Sequence, residues 1–196
     1  DGRQNSDTAS YAGSTHGVDV NLETGFATGG HADGDMLTDI ENLIGSDFND
    51  FLTGNAGPNR LDGGAGVNST DYVRSLVGVT IDLASGEGSG GHAQGDELIN
   101  IHIVIGSTFN DILRGSDDAN ELFGAKGHDE LYGGAGGDRL YGGEGEDKLF
   151  GGSGSDWLFG GGGVDILYGG ADADFMDGGA HWDTLYGEGG NDTMYG

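Results

Sequence analysis

The 196-residue chain has no Cys, one Pro and only seven Lys or Arg, against 34 Asp or Glu. Without Cys there is neither a disulfide framework nor a thiolate metal site. No apolar run approaches the roughly 18 residues of a membrane-spanning helix, and the longest apolar patch, Ile99 to Ile105, is interrupted by Asn100 and His102. A formal charge of −27 repels phosphate backbones and anionic headgroups, so nucleic acid and membrane surfaces are poor partners and cations are good ones. Leu, Ile, Val and Phe total 41, a supply so thin that with this charge it reads at first as a disordered acidic tail. Neither a serine-nucleophile elbow, an HExxH pair, a phosphate loop nor a carboxylate dyad outside the repeats is present, so the chain reads as non-catalytic.

Glycine is abundant, with 45 residues, and it is periodic. From Gly106 to Tyr195 the chain divides into ten nonapeptides, of which GGAGGDRLY (133–141), GGEGEDKLF (142–150) and GGSGSDWLF (151–159) are the clearest. The sixth column reads Asp111, Asn120, Asp129, Asp138, Asp147, Asp156, Asp165, Asp174, Asp183 and Asp192; the eighth is Leu or Met throughout. Glycines permit a tight turn with positive φ and close backbone approach. The last three residues of each unit predict a short strand whose sixth and eighth side chains share a face, the eighth pointing inward. With two units per coil, each Asp lies above the Asp 18 residues later, at about 4.7–4.9 Å between strands. Carboxylates that close repel unless a cation lies between them. Carboxylate and backbone carbonyl oxygens together make the hard cage of six to eight donors that Ca²⁺ takes, with Mg²⁺ the second choice.

These units resemble the GGxGxDxUx repeats of the RTX (repeats-in-toxin) family of calcium-binding, secreted proteins, with its hemolysin-type calcium-binding region. The resemblance implies an all-β, right-handed parallel β-roll or β-solenoid with Ca²⁺ in the turns on both edges. It pairs Asp111 with Asp129, Asp129 with Asp147, Asp138 with Asp156, Asp147 with Asp165, Asp156 with Asp174, Asp165 with Asp183 and Asp174 with Asp192. Asn120 with Asp138 is the weak pair, and about eight or more ions are expected. Two units depart from the pattern, with Asp172 and His181 at the fourth position, and distorted turns that still bind are expected there. The resemblance also implies type I secretion and folding in calcium-rich surroundings outside the cell.

A longer duplication, spaced by 61, precedes this run: residues 17–54 align with 78–115, matching His31 with His92, Asp35 with Asp96 and Asp50 with Asp111. Alternation at Val18, Val20 and Leu22, and at Val79, Ile81 and Leu83, predicts half-buried strands, with further strands at Ile40 to Ile44 and Ile101 to Ile105. The organisation read is wide coils over 1–44, a short nonapeptide run over 45–71, wide coils over 72–105 and the regular roll over 106–196, all one solenoid. In the short run Asn59 and Asn68 replace Asp, so weak binding through Asp50 and Asn68 is expected. The loops GGHADGD (29–35) and GGHAQGD (90–96) look like the calcium turn with one residue inserted, placing Asp35 and Asp96 at the ligand position. His31 and His92 lack a pairing partner for a transition metal and read as turn packing. Asp1 falls in a Gly/Asp-rich turn and Gly196 opens an eleventh unit, so the sequence reads as a monomeric fragment of a longer protein.

The ninth column supplies aromatic residues that point outward: Tyr132, Phe150, Tyr168 and Tyr186 on one sheet, and Phe123, Tyr141, Phe159 and Tyr195 on the other. Such ladders stabilise their neighbours or offer a surface to polysaccharide or a cell surface. The expected function is a calcium-binding module that folds on Ca²⁺ and stabilises a secreted or cell-surface protein. The alternatives are an adhesion module that binds polysaccharide or a surface, and the non-catalytic part of a secreted lipase, protease or mannuronan epimerase.

Overall fold

A computed structural model describes residues 6–196; the expected turn at Asp1 lies outside them. The chain is an all-β parallel solenoid whose coils cross between an 11-stranded and a 10-stranded sheet. From Glu121 onward every strand pairs in parallel with the strand 18 residues later: Glu121 with Arg139 and Leu122 with Leu140 in one sheet, Glu130 with Lys148 and Leu131 with Leu149 in the other. Two nonapeptides per coil is thus the observed register.

The eighth column forms the core. Leu113, Leu122, Leu131, Leu140, Leu149, Leu158, Leu167 and Met176 are all fully buried between the sheets. A buried leucine contributes about 1.5–3 kcal/mol, which is thin support for ordering nine residues when several are glycine. The regular strands are longer than the three residues expected. Glu130–Ala135 and Lys148–Ser153, for example, continue through the opening glycines of the next unit. Gly143 shows why: it sits at φ 113, and a Cβ there would meet Ala125 O of the coil before at 2.1 Å.

The wide coils hold the departures from a purely parallel roll. Asp19–Asn21 pairs antiparallel with Phe26–Thr28, and Thr80–Asp82 with Glu87–Ser89. The turns are legible afterwards: the Asn21 and Asp82 side chains accept the N–H groups of Thr24 and Ser85, and Gly25 and Gly86 close each hairpin at φ 75. Sequence alternation located the first strand of each hairpin and overlooked the second. Three-residue 3₁₀ turns, Gly30–Ala32 and Gly91–Ala93, follow the hairpins. Ser14 and Ser75 hydroxyls accept the N–H of His31 and His92 there. Among the described residues no helix is long and apolar enough to cross a membrane.

On the outer faces, Tyr132, Phe150, Tyr168 and Tyr186 stack face to face at 4.8–4.9 Å. The second ladder runs Phe123, Tyr141, Phe159 at 4.6 and 5.0 Å and then shifts column, because Asp177 occupies the next ninth position. Phe175 and Tyr195 continue it at tilted 5.7 Å contacts. The ring faces are turned on one another, and beside them Lys148 pairs with Glu130 at 2.8 Å.

Candidate metal centre

The sixth-position side chains stand at the turn before each strand, inside the edge of the solenoid. Asp111, Asp129, Asp138, Asp147, Asp156, Asp165 and Asp174 are all buried. One carboxylate oxygen of each regular unit is used in a fixed way: Oδ1 of Asp147 accepts the backbone N–H of Asp129, Oδ1 of Asp165 that of Asp147, and Oδ1 of Asp156 that of Asp138, each at 2.8 Å. The bond runs from each residue to the carboxylate 18 positions ahead and continues to Asp192, which accepts from Asp174.

The second oxygen has no such use. Among the described residues the buried Oδ2 atoms of Asp129, Asp138, Asp147, Asp156, Asp165, Asp174 and Asp183 lack any donor. A buried charged acceptor without a partner is costly, and seven in sequence at equivalent places form a pattern rather than a defect. From Asp129 to Asp174, what the oxygen faces is a carbonyl. A Cβ built on Gly142 would lie 2.5 Å from Asp147 Oδ2 and 2.6 Å from Gly160 O, and one on Gly133 would lie 2.4 Å from Asp138 Oδ2 and 2.5 Å from Gly151 O. The opening glycine is therefore required by space, since its φ is ordinary.

Asn68 supplies an internal control. A Cβ on its opening Gly63 would lie 2.4 Å from Asn68 Nδ2 and 2.6 Å from Asn100 O, the same arrangement as at Gly124 with Asp129 Oδ2 and Gly142 O. The Asn68 amide donates to Ala65 O and to Asn100 O at 3.1 and 3.0 Å. Where Asp stands in place of Asn, a carboxylate oxygen and a carbonyl oxygen flank the same space with no proton between them. A cation fits that set, and hard oxygen donors with backbone carbonyls suit Ca²⁺. No three His, Asp or Glu side chains converge among the described residues, so carbonyl oxygens must complete each cage.

Electrostatics agrees. Burial pushes the carboxyls of Asp129 and Asp156 up to about 7, and those of Asp138 and Asp147 up to about 6, against the opposing pull of one backbone N–H each. Asp165 and Asp174 are raised for the same reason. The fourth-position replacements keep the turn: Asp172 and His181 hold φ 74 and 88, in the left-handed region where glycine serves the other units.

The remaining candidates are built differently. Asp50 accepts from Val18 N, Ser46 N and Ser46 Oγ, and Asp111 from Val79 N, Ser107 N and Ser107 Oγ. Asn120 Oδ1 accepts Ser116 N, and its own N–H reaches Asp138 Oδ1. Asp96 is buried, takes the Asn59 N–H and receives the Tyr72 hydroxyl at 3.0 Å; burial raises it to about 6. Asp35 is exposed and receives the Tyr11 hydroxyl at 3.1 Å. Carbonyl oxygens were expected from the glycine turns, whereas the tyrosine partners of Asp35 and Asp96 were missed in the sequence. The serine partners had a signal, the Ser that replaces the second glycine in GSDFND, GSTFND and GSDDAN.

No curated protein sequence matches the chain. A family model, the RTX calcium-binding nonapeptide repeat, matches it in four copies, over residues 38–69, 105–140, 132–167 and 159–194. With more than half of its length covered by this repeat, and with the buried Asp column and the 18-residue solenoid register observed, the chain belongs to the RTX calcium-binding nonapeptide repeat family.

Proposed function

We propose that this calcium-binding β-roll folds when Ca²⁺ binds and thereby stabilises a secreted or cell-surface protein exported by a type I route. The observation that carries the reading is the row of seven buried carboxylate oxygens without a donor. Asp129, Asp138, Asp147, Asp156, Asp165, Asp174 and Asp183 would hold the ions, with Asp192 serving Asp174 from the last coil, for a complement of about seven. Bound Ca²⁺ supplies positive charge between oxygens that otherwise repel. The chain's own part is to place those oxygens: Oδ1 is fixed by the N–H of the preceding coil, which aims Oδ2 at the glycine carbonyl.

Affinity for the folded chain alone becomes folding energy, about 2.7 kcal/mol per site when free ion stands at 100 times Kd. One leucine per unit and a charge of −27 leave the regular coils in need of that contribution. Low calcium inside a cell and high calcium outside would keep the roll open for export and close it afterwards, a sequence that the absence of Cys suits. The module carries no catalytic group of its own in this reading. A polysaccharide site on the aromatic ladders gains no support, because the ring faces that would stack on sugar are spent on each other.

Circular dichroism during Ca²⁺ titration of chelator-treated protein tests the reading, with Mg²⁺ as control. Gain of β-signal with Ca²⁺ is expected. No gain over the chelator spectrum would remove the folding switch.

A further inference from the structure

We infer that metal dependence begins at Gly124, and that the coils before it fold without calcium as a base on which the ion-dependent coils assemble. The inference rests on the calcium reading above and departs from it for the match over residues 38–69, where the geometry assigns no ion.

Two kinds of turn divide the chain. In the units that open at Gly45, Gly54, Gly106 and Gly115, the second residue is Ser or Asn, and its backbone N–H donates to the sixth side chain: Ser46 to Asp50, Asn55 to Asn59, Ser107 to Asp111 and Ser116 to Asn120, all at 2.6–2.7 Å. In the regular units the second residue takes positive φ, as Gly143 does, and no such bond forms, which leaves Oδ2 facing a carbonyl. Ala125, at φ 78, keeps this form even as an L-residue. The second position thus selects between a turn closed by the protein's own donor and one that needs a cation.

The sixth position completes the division, because the unit that opens at Gly63 has Gly64 at φ 76 like the regular units but carries Asn68 in place of Asp. Asn59, Asn68 and Asn120 each donate an amide hydrogen to a backbone carbonyl: Glu41 O at 3.0 Å, Asn100 O at 3.0 Å and His102 O at 3.3 Å. Tyr72 does this service for Asp96. Among the described residues no buried carboxylate oxygen before Asp129 lacks a donor. The early coils also bury more apolar bulk, with Tyr11, Val18, Val20, Tyr72, Val79 and Ile81 added to the leucine file. The later coils lose compensating charge instead, since eight Asp and Glu and no Lys or Arg follow Lys148.

At the junction the base offers a template. The N–H groups of Asp111 and Asn120 donate to Asp129 and Asp138 Oδ1 at 2.8 Å, and Ile112–Arg114 and Glu121–Lys126 are the strands on which the next coil pairs. Folding of the regular coils would therefore proceed from Gly124 toward the end of the chain.

Hydrogen exchange of the full chain, read by peptide in chelator, in Mg²⁺ and in Ca²⁺, tests this. Peptides from 42–113 should be protected in all three, and peptides from 130–188 in Ca²⁺ alone. Loss of protection along the whole chain in chelator, regained with Ca²⁺, would overturn the partition and leave the calcium reading standing. Full protection throughout in chelator would overturn both. A second arm uses Asn68→Asp, which should make peptides over 60–71 lose protection in chelator and regain it in Ca²⁺. Unchanged protection in chelator, or no recovery in Ca²⁺, would overturn the role assigned to the Asn68 amide.

Discussion

Asp147 accepts the backbone N–H of Asp129 through Oδ1 at 2.8 Å while its Oδ2 meets no protein donor. The two oxygens can be tested apart. Asp147→Asn keeps an acceptor for Asp129 and places an amide donor toward Gly160 O, as Asn68 does toward Asn100 O. Its calorimetric Ca²⁺ stoichiometry should fall by about one ion, and the metal-free roll should gain structure. Asp147→Ala strands the Asp129 N–H, a loss of about 1–3 kcal/mol, and should weaken folding with or without Ca²⁺. Identical behaviour of the two variants would contradict this division of roles.

The opening glycine offers a steric test. A Cβ on Gly142 would enter the space between Asp147 Oδ2 and Gly160 O, whereas one on Gly137 comes no closer than 3.2 Å, to Ser155 O. Gly142→Ala should shift the Ca²⁺ midpoint of folding upward by about tenfold or more, the equivalent of at least ~1.4 kcal/mol, and Gly137→Ala should leave it nearly unchanged. Comparable shifts in the two titrations would show that the cradle is not the binding space.

Much of this was legible in advance, and the reasons are local. Asp and Leu recur at fixed offsets, and a side-chain period of two converts those offsets into a buried edge and a core, so the register and the buried Asp column followed from the sequence. The hairpins at Asn21 and Asp82 were not visible by alternation, because Phe26–Thr28 and Glu87–Ser89 are three-residue strands that carry one buried position each. Nor could the difference between Asp50 and Asp129 be read from the Asp column. It depends on whether the second residue of the unit donates its N–H, which is a backbone property set by Ser46 in one case and Ala125 in the other.

Buried carboxyls set an unusual pH response in chelator. The folded values of Asp129 and Asp156, about 7, lie above the ~3.9 of an unfolded Asp. A raised folded pKa contributes stability that is fully present below the unfolded value and is lost as pH rises through the folded one. The metal-free roll should therefore be more structured near pH ~5 than near pH ~8, the reverse of ordinary acid denaturation. Circular dichroism in chelator across that window checks it, and a metal-free signal that grows with pH would be incompatible.

Position four carries a removable strain. Asp172 and His181 occupy left-handed φ where an L-residue costs about 1–2 kcal/mol. Replacing either with Gly should raise the thermal midpoint of the Ca²⁺-loaded protein, a net gain of about 0.5–1 kcal/mol once the extra unfolded-state freedom of glycine is counted. A lowered midpoint would mean that these side chains make compensating contacts.

The aromatic stack should respond to position. Phe150 has a ring on both sides, Tyr132 and Tyr168, whereas Tyr186 has one. At about 0.5–1.5 kcal/mol per aromatic pair, Phe150→Ala should cost roughly twice what Tyr186→Ala costs in Ca²⁺-saturated thermal unfolding. Equal losses would assign the ladder to surface coverage rather than stacking.

The 18-residue register makes the length of this protein a free variable. Every interior coil donates a backbone N–H to the carboxylate of the coil after it and accepts the same bond from the coil before it, so a whole coil can be gained or lost without changing the surroundings of any coil that remains. Half a coil is another matter. Removing nine residues would send every later strand to the opposite sheet, setting Lys148 beside a new neighbour in place of Glu130 and breaking both aromatic files at the seam. A chain built this way can lengthen or shorten by counting in pairs, and its reach can be tuned by duplication alone.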